Sequence, residues 1–326
     1  MVVCRLACSH VADGGVGVDD WQPARHSVPA DATASRSFTR PPSHVRQLPH
    51  PQPLPHALPS DSIMLILLPP SESKSAPTTD LAPGLSFDEL DPVRAKVQRA
   101  LVKMSSGNQL RASKALGLGH TQIDQLALNT VLPTAACGPA IDVYSGVVFE
   151  ALDAHHLTAR QRARLNEHVV IASALHGLVR PLDAIAPYRL SANSTITGLP
   201  AWQRLWRKPV GEVLARTTGP ILDLRSHAYA ALAPIPRDCA PRAIAVRVLQ
   251  EQDGRRTVVS HFNKATKGLL VRDLVRRGTM ASSVSMLMDE LTALGYAWEL
   301  QEQPGSAARL DIITHYTPGK VSTPRR

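Results

Sequence analysis

The sequence predicts a mixed α/β fold on three observations. Short, nearly all-apolar runs (MLILL at 64–68, HVVIAS at 168–173, PILDL at 220–224) recur between longer stretches with helical spacing of apolar residues. Several of those stretches open on helix-starting residues, such as Asp91-Pro92 and the Thr158/Gln161 capping pair. Asp253-Gly254, between AIAVRVLQE and RTVVSHF, marks a tight antiparallel hairpin. Together they imply a mixed sheet surrounded by helices.

The first 63 residues stand apart. They hold nine of the 27 prolines and five of the 13 histidines, a composition that forms neither helices nor central strands. We expect a disordered, proline-rich extension over 1–63, either a real tail or the product of an upstream start, followed by one domain over 64–326. Met64 opens the first strand, and PPSESK follows as a polar loop. Helices are expected over 91–104, 109–116, 121–128, 144–152 and 158–166. Trp202 and Trp206 lie one turn apart in a further helix that Pro209 should kink or divide. A last helix ends at Leu294-Gly295, and strands over 296–300 and 310–316 pair to close the fold.

With 44% hydrophobic residues the chain can build a sizeable core. No apolar run approaches the ~20 residues that cross a bilayer, so no membrane partner is expected. The amino terminus shows no secretory pattern and the four cysteines are scattered, which fits a reducing cytoplasm. Net charge is +9; residues 1–63 contain five Arg and five Asp, so the excess belongs to 64–326 and suggests an anionic partner. Aromatic residues make up only 4%, which argues against a broad base-stacking platform. Nucleophile-elbow, zinc-protease, dinucleotide-binding and C-x-x-C motifs are missing, so no cofactor or metal site is expected and no catalytic residue is identified. His155-His156 is not expected to bind metal.

Four segments concentrate polar residues where chemistry could sit. Ser71, Glu72 and Lys74 follow the first strand, a common ligand position in α/β proteins, although a solvated loop is the plain alternative. In LHGLVRPLDAIAPYRL, Arg180 and Arg189 could be forked donors to phosphate, or Arg180 and Asp183 could simply shape the loop. In LRASKALGLGHTQIDQLAL, two short helices joined through Gly117 and Gly119 have a helix-hairpin-helix pattern, with Arg111, Lys114 and His120 placed near a phosphate; an ordinary tight turn reads the same way. SHFNKATKGLLVRDLVRR (260–277) reads as a strand end running into a helix, with Lys264, Lys267 and Gly268 in or near its first turn. Cations at the positive end of a helix dipole suggest a shared bound anion, unless the lysines merely snorkel. An acid–base role for Asp142 or Tyr144 stays open.

MLILLPPSESK, DVYSGVVFEAL, ALHGLVRPLDAIAPYRL, PILDLRSHAYAAL and SHFNKATKGLLVRDLV, in this order, resemble the YaaA-type peroxide-stress proteins. The resemblance implies a single-domain fold with a basic cleft and a helix-hairpin-helix. It also implies a cytosolic role in the response to hydroperoxide, linked to limiting intracellular iron, with affinity for DNA. Family cleft positions fall at Lys74, Tyr144, Arg180, Asp183, Tyr188, Arg189, Lys264 and Lys267. The chain departs from the family pattern in its Ser-Glu-Ser-Lys loop, at His176 and at Ala265. DNA binding is the leading expectation; an enzyme acting on a small phosphorylated or nucleotide substrate in the same cleft is the alternative.

Overall fold

A computed structural model describes residues 64–252, 255–258 and 260–315, all within one compact unit. The strands are β1 (Leu65–Leu68), β2 (Gly138–Pro139), β3 (Val169–Ser173), β4 (Gly177–Val179), β5 (Ala184–Ile185), β6 (Ile221–Asp223), β7 (Ala243–Gln252), β8 (Arg255–Thr257), β9 (Ala297–Gln301) and β10 (Ala308–His315). The helices are α1 (Asp91–Ser105), α2 (Gln109–Leu116), α3 (Leu126–Thr130), α4 (Ala140–Val143), α5 (Val147–Leu152), α6 (Ala159–His168), α7 (Trp202–Ala215), α8 (His227–Leu232), α9 (Ser260–Arg277) and α10 (Val284–Ala293). The expected extension, the Asp253-Gly254 turn and Tyr316 lie outside the described residues.

The main sheet has the order β4-β3-β1-β6-β7-β10-β9, with β8 against β7. β1 lies parallel to both β3 and β6, and β7 is parallel to β6 and β10; β4, β8 and β9 are antiparallel additions. The apolar runs explain the centre: every residue of β1 and β3 is buried, as a parallel strand covered on both faces requires. The two strands that flank β1 come from 169–173 and 221–223. β1 is therefore a switch point, the position in an open α/β sheet beside which ligands commonly bind.

Several expectations are corrected. Helix 121–128 is instead a 3-10 turn (His120–Gln125) followed by the five-residue α3. Thr121 and Ile123 are β-branched and Gln122 N bonds Gly119 O at 2.9 Å, both of which favour the tighter winding. Pro209 does not divide α7, which continues across it with Leu205, Trp206, Val210, Val213 and Leu214 buried on either side. The helix expected from Tyr144 begins only at Val147; Tyr144 is extended, and Gly146 has φ +97°. The segment 260–277 is helical throughout as α9, so Lys264 and Lys267 lie in its second and third turns, beyond the reach of the first-turn amides.

Candidate functional site

At the carboxyl end of β1 the chain turns through Pro69-Pro70 into Ser71–Lys74, which pairs with the extended break at Tyr144. Ser75 N donates to Val143 O at 2.8 Å and Ser145 N to Ser73 O at 3.1 Å. This pairing puts the Lys74 ammonium over two rings, 4.0 Å from the Tyr188 centroid and 5.3 Å from that of Tyr144. Lys74 Nζ also donates to Ser71 O at 2.9 Å. The Tyr144 and Tyr188 hydroxyls are 2.8 Å apart, and Tyr188 Oη is 2.8 Å from Ser173 Oγ at the end of β3. His176 packs edge-on to Tyr188, with centroids 5.4 Å apart. Its backbone oxygen is held by buried Arg94, whose Nε donates at 3.0 Å.

Arg189 follows Tyr188 and meets the Glu72 carboxylate at 2.6 Å; its side chain is 9% exposed against 56% for Glu72. The neighbouring main chain is clamped by Asn129 of α3, whose side chain takes Arg189 N at 2.8 Å and gives a bond to Arg189 O at 2.9 Å. On the β6 side, Asp223 forms two bonds to buried Arg225, and Lys267 Nζ donates to Leu224 O at 2.9 Å.

Burial sets the protonation of this cluster. It lowers Lys74 to about 7; Arg189 adds to the effect and Glu72 opposes it. Lys267 is lowered to about 8, again by burial, with Asp223 opposing. His176 falls to about 3 through burial and then the nearby charges of Arg94 and Lys74, so it is neutral near pH 7. The Tyr144 and Tyr188 phenols are pushed up by burial and stay protonated.

The structure brings together Lys74, Tyr144, Tyr188 and Arg189, and gives the other expected residues different work. The Arg180 guanidinium caps the carbonyl end of α6 at Asn166 O (2.6 Å) and Glu167 O (2.9 Å), rather than facing a ligand. Asp183 accepts from Arg180 N, Ser86 N and Ser86 Oγ, so it shapes its loop through main-chain bonds and not through an Arg–Asp ion pair. Gly268 is a packing residue: an added Cβ would lie 2.1 Å from Val148 O, so the close approach of α9 to α5 needs glycine there. Lys264 is exposed and forms no ion pair among the described residues. A single basic recess gathering Arg180, Arg189, Lys264 and Lys267 is therefore not formed as expected, since Arg180, Arg189 and Lys267 each already have a main-chain or carboxylate partner and Lys264 is exposed.

Lys114 in the last turn of α2 and Gly117, Gly119 and His120 on the hairpin after it are exposed, and Gly117 adopts φ +67° as the helix cap. Residues 92–123 contain six Lys or Arg and no Asp or Glu. Of these, Lys96, Arg99, Lys103, Arg111 and Lys114 are exposed and form no ion pair among the described residues. Ser173, Asp223 and the Asn129 clamp were not singled out from sequence. A polar residue ending an otherwise apolar strand is the signal that marks Ser173 and Asp223. Asp142 is bound by Arg162 at 2.6 and 3.0 Å. A cavity of about 450 Å³, lined in part by Arg237, Ile244, Leu300 and Ala308, lies at the amino ends of β7 and β10 and touches none of the Lys74 cluster. Among the described residues no three His, Cys, Asp or Glu side chains group as a metal site, and no helix is long and apolar enough to cross a membrane.

Fold and cluster define an α/β protein with a cluster of polar and cationic side chains beside a sheet switch point. Residues 64–302 match the family model described as peroxide stress protein YaaA, and the chain belongs to that family. It is similar to a UPF0246 protein of Streptomyces coelicolor, 40% identical over 260 residues covering 77% of this chain and 99% of the relative. A UPF0246 protein of Corynebacterium efficiens is 38% identical over 249 residues, covering 73% of this chain and 96% of the relative. One from Corynebacterium glutamicum is 35% identical over 259 residues, covering 77% and 100%.

Proposed function

We propose that this peroxide-stress family member acts in the cytoplasm by binding DNA through the cationic face of α1, α2 and the Gly117–Gly119 hairpin. The observation that carries this reading is the acid-free segment 92–123, whose exposed cations have no carboxylate to neutralise them. Phosphate contacts make affinity fall by ~0.7–0.9 log units per neutralised phosphate for each log unit of salt. A binding titration with single-stranded and duplex DNA at two salt concentrations tests this. Arg111→Ala with Lys114→Ala is expected to weaken binding and flatten the salt slope; salt-independent or absent binding overturns the reading. Any link to limiting iron then runs through this nucleic-acid role.

A second reading is favoured by Lys74 and Arg189: an enzyme binding a small phosphorylated ligand. Glu72 is exposed and tethered to a loop, and its carboxylate occupies the guanidinium where a phosphate would bind. The lysine beside it, brought down by burial to about 7, could move a proton near neutral pH. A thermal-shift titration with sugar phosphates and nucleotides separates the two readings, because Arg189→Met abolishes a shift that arises here and leaves hairpin binding intact.

A further inference from the structure

The hydroxyls beside Lys74 have one proton too many. Ser173 Oγ has two lone pairs, and backbone N–H groups of Leu175 and His176 take them at 3.1 and 3.0 Å. Its own proton must therefore go to Tyr188 Oη, 2.8 Å away. Tyr188 and Tyr144 share one more bond. Ser173 also faces Tyr144, but with both of its lone pairs taken it can only donate there, so the two phenols have two protons and only the bond between them to use. One phenolic O–H, on Tyr144 or Tyr188, has no acceptor among the described residues although both side chains are at most 2% exposed. His176 Nε2 is likewise buried without a partner. Buried polar groups are almost always satisfied, so two unmatched atoms around one amine point to a polar occupant.

A carbonyl compound fits these groups: its oxygen accepts the spare phenolic proton while its carbon meets the amine. We propose that Lys74 condenses reversibly with the aldehyde of a phosphorylated sugar, with a Tyr144 or Tyr188 phenol bonded to the carbonyl oxygen and Arg189 holding the phosphate. The Nζ lone pair forms the C–N bond while the C=O π pair moves to oxygen. Nitrogen loses one proton and oxygen gains one, giving a carbinolamine. Departure of that oxygen as water, with the second amine proton, leaves a C=N bond; amine plus aldehyde becomes imine plus water with no redox change. Only the neutral amine reacts, and burial already brings Lys74 down to about 7. Lys74 keeps part of its surface open to solvent, so a small ligand can reach it.

This inference rests on the second reading above and names its reactive group. The aldehyde could belong to a free sugar phosphate or to an abasic sugar in DNA. The full chain is incubated in one arm with glyceraldehyde 3-phosphate and in another with an oligonucleotide bearing an abasic site. Borohydride reduction then fixes any imine for mass spectrometry and peptide mapping. The expected result is a single adduct on the Lys74 peptide, formed faster as pH rises through 7, lost in Lys74→Arg and slowed in Tyr144→Phe, with circular dichroism and Tm confirming that both variants fold. The arm that labels identifies the source. Labelling spread over Lys96, Lys103 and Lys264 and unchanged in Lys74→Arg overturns the proposal, as does no adduct in either arm. A thermal shift with glyceraldehyde 3-phosphate but no adduct removes the condensation and leaves the ligand reading standing; neither shift nor adduct removes both.

Discussion

The Lys74 cluster and the Gly117–Gly119 hairpin both carry cations, and they use them in opposite ways. Lys74, Arg189 and Lys267 are held against rings, a carboxylate and a main-chain carbonyl, and burial lowers both lysines toward neutrality. Arg111 and Lys114 stand in water with no ion pair among the described residues. A desolvated cation becomes a reagent whose protonation can change near pH 7. A solvated one remains a permanent charge that attracts polyanions at a distance. The difference shows that net charge alone does not locate chemistry: the exposed face accounts for much of the excess, whereas the cluster is nearly balanced.

The sharpest way to break this contrast is at its buried side. Asp223→Ala leaves Arg225 uncompensated at 1% side-chain exposure, and removing one partner of a buried pair costs about 3–5 kcal/mol. Urea denaturation is expected to show that loss, and a change under 1 kcal/mol would mean that water reaches the pair. A smaller effect comes from pH. Lys74 titrates near 10.5 unfolded and near 7 folded, so between those values the unfolded chain holds a proton that the folded one lacks. Stability attributable to Lys74 therefore rises with pH across this window, and the full penalty applies below 7. Unfolding free energies at pH 7 and pH 9 should increase accordingly, and Lys74→Met should flatten the increase. The smallest effect belongs to the hairpin. Arg111→Ala with Lys114→Ala is expected to change Tm very little, since exposed substitutions usually stay within about 0.5 kcal/mol, while DNA affinity drops. A large Tm loss would show that these side chains serve the fold.

Local chemistry was legible in the sequence where its partners were close by. The α2 limits at Gln109 and Leu116, the Thr158/Gln161 capping box and the β7–β8 pairing all follow from residues a few positions apart. Sheet order was not, because β1 pairs with strands more than a hundred residues downstream. The site divides in the same way. Lys74, Tyr144 and Arg189 stand out from their local segments, Tyr188 only through the family resemblance, and the four do meet. Arg180 reads from sequence like a ligand donor, yet its guanidinium is consumed by the end of a helix fourteen residues upstream. No local pattern distinguishes a guanidinium facing solvent from one facing a carbonyl of its own chain. The lysines of α9 misled for a related reason: the helix starts earlier than the apolar spacing suggested, which moves both away from its amino end.

Glu72 adds a threshold to whatever enters beside Lys74. Its carboxylate is tethered two residues away and already grips Arg189, and a tethered group competes at an effective concentration of order millimolar. An entering anion must therefore outcompete that carboxylate for the guanidinium. A doubly charged phosphate brings more charge to the same guanidinium than the carboxylate it would displace, while the Ser75–Val143 and Ser145–Ser73 backbone bonds keep the lysine's loop in place.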